Sequence, residues 1–281
     1  MQSHYVTTNG IQLHYLDSGT DLPPLLLMHG LTANAHAFDG LIKAGLTEKH
    51  RLISVSLRGR GLSEKPQQGY DIPTHAKDII GLLDALQLDK VIMGGHSFGA
   101  LLTFYLASHY PERATRLILM DAAMRMHPDT KELLKPAMGR LDQTFDSWEH
   151  YLEKIKQAPY LQHYWEDTML SYFEADVEKL SNGNVIPRPR LTNMAEAVNE
   201  VLSEDWLTYL QKIHHSSILI NATGPYGLAE APPLLPEELA KETVDLLKDC
   251  TYQKVWGNHQ TMLYGQGAEE IVATIHKFVQ S

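Results

Sequence analysis

Val91-Ile92-Met93-Gly94-Gly95-His96-Ser97-Phe98-Gly99-Ala100-Leu101-Leu102 decides the reading of this chain. A short apolar run comes first. Five residues of the form G-x-S-x-G follow, then a helix-forming stretch that continues to Ala107. The pattern is strand, sharp turn and helix, with a serine at the apex. A serine hydroxyl is a poor nucleophile unless it is exposed and supplied with a base. Gly95 and Gly99 permit a turn too tight for residues with a Cβ, which lifts the Ser97 hydroxyl above the sheet edge. The five-residue pattern alone is weak, and its place at a strand-to-helix junction gives it meaning. A serine that merely caps the next helix would leave both glycines unexplained.

Outward from this turn the chain repeats the same alternation. Leu25-Leu26-Leu27-Met28, Leu52-Ile53-Ser54-Val55, Leu117-Ile118-Leu119-Met120 and Ile218-Leu219-Ile220 are short, nearly continuous apolar runs, with a weaker one at Tyr252-Gln253-Lys254-Val255-Trp256. Such runs mark strands buried on both faces, as in a parallel sheet. Helical patterns separate them, at residues 76–88, 98–109, 236–248 and 268–279. Ahead of all these, Ile11-Gln12-Leu13-His14-Tyr15-Leu16 alternates like a half-buried strand and pairs with Tyr5-Val6-Thr7 across the Asn9-Gly10 turn. The expected fold is α/β, with helices on both faces of the sheet.

One interval breaks the rhythm. Residues 125–213 show helical segments rich in aromatic residues and Met, with no convincing strand. A structureless loop of that length is improbable. The expectation is a helical cap over the C-terminal edge of the sheet, dividing the core into residues 1–124 and 214–281.

The formal net charge of -10 argues against nucleic acid or an anionic membrane as partner. Cys250 is the single cysteine, so no internal disulfide forms. The first residues carry no basic and apolar signal segment, and no run approaches the ~20 apolar residues that span a bilayer. The expected location is cytoplasmic. No dinucleotide loop, Walker loop or H-E-x-x-H motif is present, so no cofactor or metal is expected.

In its motifs and their order the chain resembles the α/β-hydrolase family, over nearly its whole length. His29-Gly30 follows the third strand. Leu57-Arg58-Gly59-Arg60-Gly61-Leu62-Ser63 follows the fourth and is close to the family's D-x-R-G-x-G-x-S, with Ser56 where Asp is common. The serine turn follows the fifth strand, and Trp256-Gly257-Asn258-His259 follows the last. The resemblance implies a mostly parallel eight-stranded sheet with a cap inserted after strand six. It implies Ser97 as nucleophile, His259 as general base, and an oxyanion hole from the backbone N–H groups of Phe98 and Leu31. Of the fifteen histidines, His259 alone lies between the final strand and the final helix. His96 is expected to support the turn or line the site, and Arg58 and Arg60 to pack their loop.

The triad's acid departs from the family's common pattern. Most relatives place Asp just after the seventh strand, where this chain reads Ile220-Asn221-Ala222-Thr223-Gly224-Pro225-Tyr226-Gly227-Leu228. Asp121, which ends strand six one helix after Ser97, is taken as the acid, with Glu230 as the alternative. Either could orient the imidazole. The activity implied is hydrolysis of an uncharged, partly apolar carboxylic ester through an acyl-enzyme. Lactonase, thioesterase and carbon–carbon bond hydrolase chemistry fit the same residues. A hydroxynitrile lyase or a slow-turnover receptor would reuse the fold for a different end.

Overall fold

A computed structural model describes residues 1–161, 164–228 and 230–280. The chain opens with a hairpin of β1 (Gln2–Thr8) and β2 (Ile11–Asp17). Asn9 and Gly10 both take positive φ, 47° and 78°, as a two-residue hairpin turn requires. Then come β3 (Pro24–Met28), the short helix α1 (Asp39–Lys43), β4 (Arg51–Val55), β5 (Val91–His96) and β6 (Ala114–Met120). Two short strands, β7 (Val177–Lys179) and β8 (Val185–Pro187), form a separate antiparallel pair. The last two are β9 (Ser217–Ala222) and β10 (Cys250–Val255).

Eight strands form one sheet in the order β1-β2-β4-β3-β5-β6-β9-β10, antiparallel at β2 and parallel from β4 onward. Alternate residues of each strand enter different cores, which is why the runs are apolar throughout. Leu26, Met28, Ile53, Met93, Leu117 and Leu119 pack on one face with helices α2 (Ile72–Ala85) and α3 (Phe98–His109). Leu25, Leu27, Leu52, Ile118 and Met120 pack on the other with the C-terminal helix Gly265–Gln280. Each such side chain contributes about 1.5–3 kcal/mol of burial. Helix α2 starts at Ile72, ahead of the apolar pattern, because Asp71 caps it: its carboxylate accepts from Thr74 N–H at 2.7 Å.

The strand order places the site. β3 lies between β4 and β5, so the chain leaves it in one direction and returns on the other side. Ligand crevices of open α/β sheets form at such a reversal, beyond the strand C-termini. β3 pairs with β5 through Met28 and Gly95. The loop beginning His29-Gly30 and the turn at Ser97 therefore leave the sheet side by side.

The segment between β6 and β9 is helical for the most part, but it holds the β7–β8 hairpin, which the sequence pattern did not signal. It is not an independent core. Tyr151, Tyr160, Tyr172 and Phe173 belong to the same buried cluster as Phe38, Leu41 and Tyr264. Met194, Trp206 and Leu210 join the opposite cluster beside Phe104. Among the described residues, no helix is long and apolar enough to cross a membrane.

Candidate active site

Ser97 adopts φ 56° and ψ −119°, outside the regions comfortable for a residue with a Cβ. Such strain costs on the order of 1–3 kcal/mol and persists only where the surroundings enforce it. The surroundings are close. A Cβ on Gly95 would lie 2.3 Å from the Gly99 carbonyl carbon, and one on Gly99 would lie 2.0 Å from the Met28 carbonyl oxygen. Ser97 N–H donates to Met120 O at 2.9 Å, and the Ser97 side chain makes no cap hydrogen bond to α3. Its hydroxyl is left facing the crevice.

His259 and Asp121 meet here. His259 Nδ1 lies 2.7 Å from Asp121 Oδ2, with both side chains buried. Asp121 has φ 52°, which turns its carboxylate back over the sheet end. Its other oxygen accepts from Asn221 Nδ2 at 2.8 Å and from Ala222 N–H at 2.9 Å. Tyr252 O–H donates in turn to Asn221 Oδ1 at 2.9 Å. With Nδ1–H directed at the carboxylate, Nε2 is the ring nitrogen free to take a proton. Glu230 is exposed in a turn and makes no hydrogen bond to His259. Asn221 stands where most relatives place Asp, and it holds the Asp121 carboxylate at the end of the neighbouring strand.

The His259 loop is braced from both sides. Asn258 Nδ2 donates to Tyr160 O at 2.9 Å and to Pro225 O at 3.0 Å. His96 lies 4.5 Å from the His259 ring, centroid to centroid, and its Nε2 donates to the His259 carbonyl at 2.8 Å. A carbonyl only accepts, so this bond fixes the His96 tautomer. Burial, with His259 beside it, holds the His96 pKa well below the usual histidine value.

The loop after β3 has every carbonyl of Gly30, Leu31 and Thr32 tied down. Gly30 O accepts from His29 Nδ1 at 2.7 Å and from Ala33 N–H at 3.2 Å. His29 Nε2 accepts from Leu57 N–H at 3.0 Å, and burial lowers the His29 pKa to about 3. Leu31 O accepts from Arg60 Nε at 2.9 Å, and Thr32 O from Arg140 Nη2 at 3.2 Å. In a trans peptide the N–H points opposite to the carbonyl, so the bonds on Gly30 O set the direction of Leu31 N–H. Phe98 is the first residue of α3, and its N–H has no acceptor within the helix.

Arg58 and Arg60 serve this loop and its neighbours. Arg58 makes a buried bidentate pair with Asp78, at 2.6 and 2.7 Å. Arg60 stacks 5.3 Å from the Phe98 ring centroid, and burial lowers its pKa to about 9, above neutral pH.

Two cavities meet at Ser97 and Leu31. One, of about 60 Å³, is lined by His96, His259, Tyr160, Tyr172, Tyr226 and Arg140. The other, of about 710 Å³, is lined chiefly by apolar side chains, among them Leu101, Met124, Met126, Val198 and Trp206. The segment between β6 and β9 thus supplies wall to both. The sequence carried no signal for Arg140. Its guanidinium pairs with Asp176 at 3.0 Å through Nε and again through Nη2.

The sequence profile of the alpha/beta hydrolase fold matches residues 23–215. This chain belongs to that family. The alpha/beta hydrolase 2-(acetamidomethylene)succinate hydrolase of Mesorhizobium japonicum is 31% identical over 144 residues, covering 51% of each chain. A soluble epoxide hydrolase of a Corynebacterium species is 36% identical over 118 residues, 42% of this chain and 41% of that one. The chain therefore spans about half the length of the curated relatives it matches. Among solved structures, E-2-(acetamidomethylene)succinate hydrolase superposes with a TM-score of 0.85 at 22% identity, over 100% of this chain and 99% of that one. The enol-lactonase of Burkholderia xenovorans gives 0.75 at 20% identity, over 99% and 100%. Likenesses this distant show the alpha/beta hydrolase fold.

Proposed function

We propose that this protein hydrolyses carboxylic esters through an acyl-enzyme on Ser97. The 2.7 Å contact between His259 Nδ1 and Asp121, in a wall shared with Ser97, carries the reading. His259 Nε2 takes the Ser97 proton as Oγ attacks the ester carbonyl. The N–H groups of Leu31 and Phe98 receive the oxyanion, and the positive end of α3 adds to its stabilisation. The carbon–oxygen bond to the alcohol breaks, and the proton held on His259 passes to the departing oxygen. Water, deprotonated by His259, then attacks the acyl carbon, and the proton returns to Ser97 as the acid leaves.

The nucleophile separates this chemistry from that of the epoxide hydrolase it resembles in sequence, since that class attacks with a carboxylate. The amide and lactone chemistry named in other relatives needs the same nucleophile and oxyanion hole, so ester is the parent reading rather than a unique substrate.

The test combines labelling with turnover. A fluorophosphonate should modify Ser97 and no other residue. Proton release from a panel of simple esters should fall by at least ~10³-fold in Ser97→Ala. Undiminished hydrolysis by a pure, folded Ser97→Ala preparation would overturn the reading.

A further inference from the structure

We propose that the two cavities divide the substrate at Ser97: the large one takes an apolar acyl chain, and the small one takes a small alcohol and later the hydrolytic water. This rests on the acyl-enzyme reading above.

The argument begins with the proton. His259 must protonate the departing alcohol oxygen and later deprotonate the incoming water, so both pass on its side of the serine. His259 lines the 60 Å³ cavity and does not line the 710 Å³ one. One water needs about 10–15 Å³ of such space, so the small cavity suits a few waters or an alcohol of few carbons. Its wall sets His96 and His259 among tyrosine rings and apolar side chains such as Leu134 and Leu263, so size and the imidazole rather than polarity select that occupant. The acyl chain, the remaining substituent of the attacked carbon, then leaves by the other side of Ser97.

That side is apolar where it meets the serine. Leu101, Met124, Val198, Val201 and Trp206 surround it, and its volume falls within the ~300–1,000 Å³ typical of small-molecule pockets. Thioether side chains such as Met124 adapt to chains of different length. Charge in its wall is mixed: Arg125 and Lys131 line it together with Asp129 and Glu132, Arg125 is paired with Glu242, and Glu132 with Lys135. Nothing there selects a charged acyl terminus.

Nor does the small cavity select an anion, although Arg140 is in its wall. All five guanidinium donors are committed. Nε and Nη2 bond Asp176, Nη2 also bonds Thr32 O, and Nη1 bonds Ala137 O and Thr32 Oγ1. The cation is neutralised and saturated, so it offers a substrate carboxylate no free donor.

Methyl octanoate and octyl acetate test the assignment. Each carries one eight-carbon chain, and they differ in which side of the ester bond bears it. Methyl octanoate puts the chain on the acyl side and should be hydrolysed with at least ~10-fold higher kcat/KM, by proton release on the wild-type protein. Equal rates, or preference for octyl acetate, would overturn the division. A second arm narrows the large cavity: Val201→Trp should lower the ratio of methyl octanoate to methyl butanoate turnover by at least ~10-fold. An unchanged ratio in the folded variant counts against the proposal. If no ester is hydrolysed and Ser97 resists the fluorophosphonate, both the ester reading and the division fall. If octyl acetate leads, the division alone falls.

Discussion

Asn221 Nδ2 donates to Asp121 Oδ1 at 2.8 Å, so the strand that lacks a carboxylate of its own there holds the one at the end of its neighbour. With Ala222 N–H on the same oxygen, the carboxylate is fixed with Oδ2 toward His259. Asp121→Asn should therefore lower kcat by about 10²–10⁴-fold with little change in KM, the scale seen when a serine protease loses this group. Glu230→Gln should cost less than about tenfold. Steady-state kinetics on both folded variants decide the matter, and the opposite ranking would move the acid to Glu230.

Gly99 is the tightest point of the serine turn. An alanine Cβ there would sit 2.0 Å from the Met28 carbonyl oxygen, a backbone atom that cannot swing aside. Gly99→Ala should cost about 1–3 kcal/mol or more through overpacking, and should displace Ser97 with it. Urea denaturation and fluorophosphonate labelling rate, measured together, should both drop. A variant with wild-type stability and labelling would contradict the close packing.

His50 gives the protein an acid weakness. It is buried, neither ring nitrogen has a hydrogen-bond partner, and its ring lies 5.6 Å from that of His276. Burial, then His276 and Lys49, lowers its pKa to about 4. The unfolded chain binds this proton near pH ~6.5. Stability is present in full above pH ~6.5 and is lost as pH falls from there toward 4, because the unfolded state takes up the proton first. His14, lowered to about 4, and His29, lowered to about 3, act in the same direction. The melting temperature should fall between pH 7.5 and pH 5. His50→Leu, which removes one titrating group and no hydrogen bond, should shrink that difference. A difference unchanged in the variant would exclude His50 as a contributor.

Arg140 reaches Thr32 from more than a hundred positions along the chain, and Thr32 follows Leu31, whose N–H is proposed to receive the oxyanion. Removing the arginine alone would leave the Asp176 carboxylate buried and unpaired, at a cost of about 3–5 kcal/mol. Replacing both charges, Arg140→Met with Asp176→Asn, avoids that and still removes the donor to Thr32 O. The pair should lower kcat by about 10–100-fold, less than the ~10²–10³ of losing an oxyanion donor outright. KM should change less than kcat. Kinetics beside circular dichroism will separate this from simple unfolding.

How much of this was legible beforehand follows from the range of each signal. The serine turn was readable because its requirements, two glycines between an apolar run and a helix, lie within a few residues. His259 was readable from its order after the last strand. Asp121 stood as one of two candidates, since what favours it is a pair of donors on β9 about a hundred residues away. Arg140 and Asp176 lie 36 residues apart and meet only when the segment folds. The β7–β8 hairpin escaped notice because three-residue strands show no period, although Asn182-Gly183 at its turn is a hairpin dipeptide.

The bond from Arg140 to Thr32 also bears on how such a molecule breathes. A roof attached only by its two chain crossings could swing aside and leave the machinery beneath untouched. Here the segment between β6 and β9 is bolted to the loop after β3. Lifting it would drag on the Thr32 carbonyl, so any opening of that segment strains the loop beside Ser97 as well.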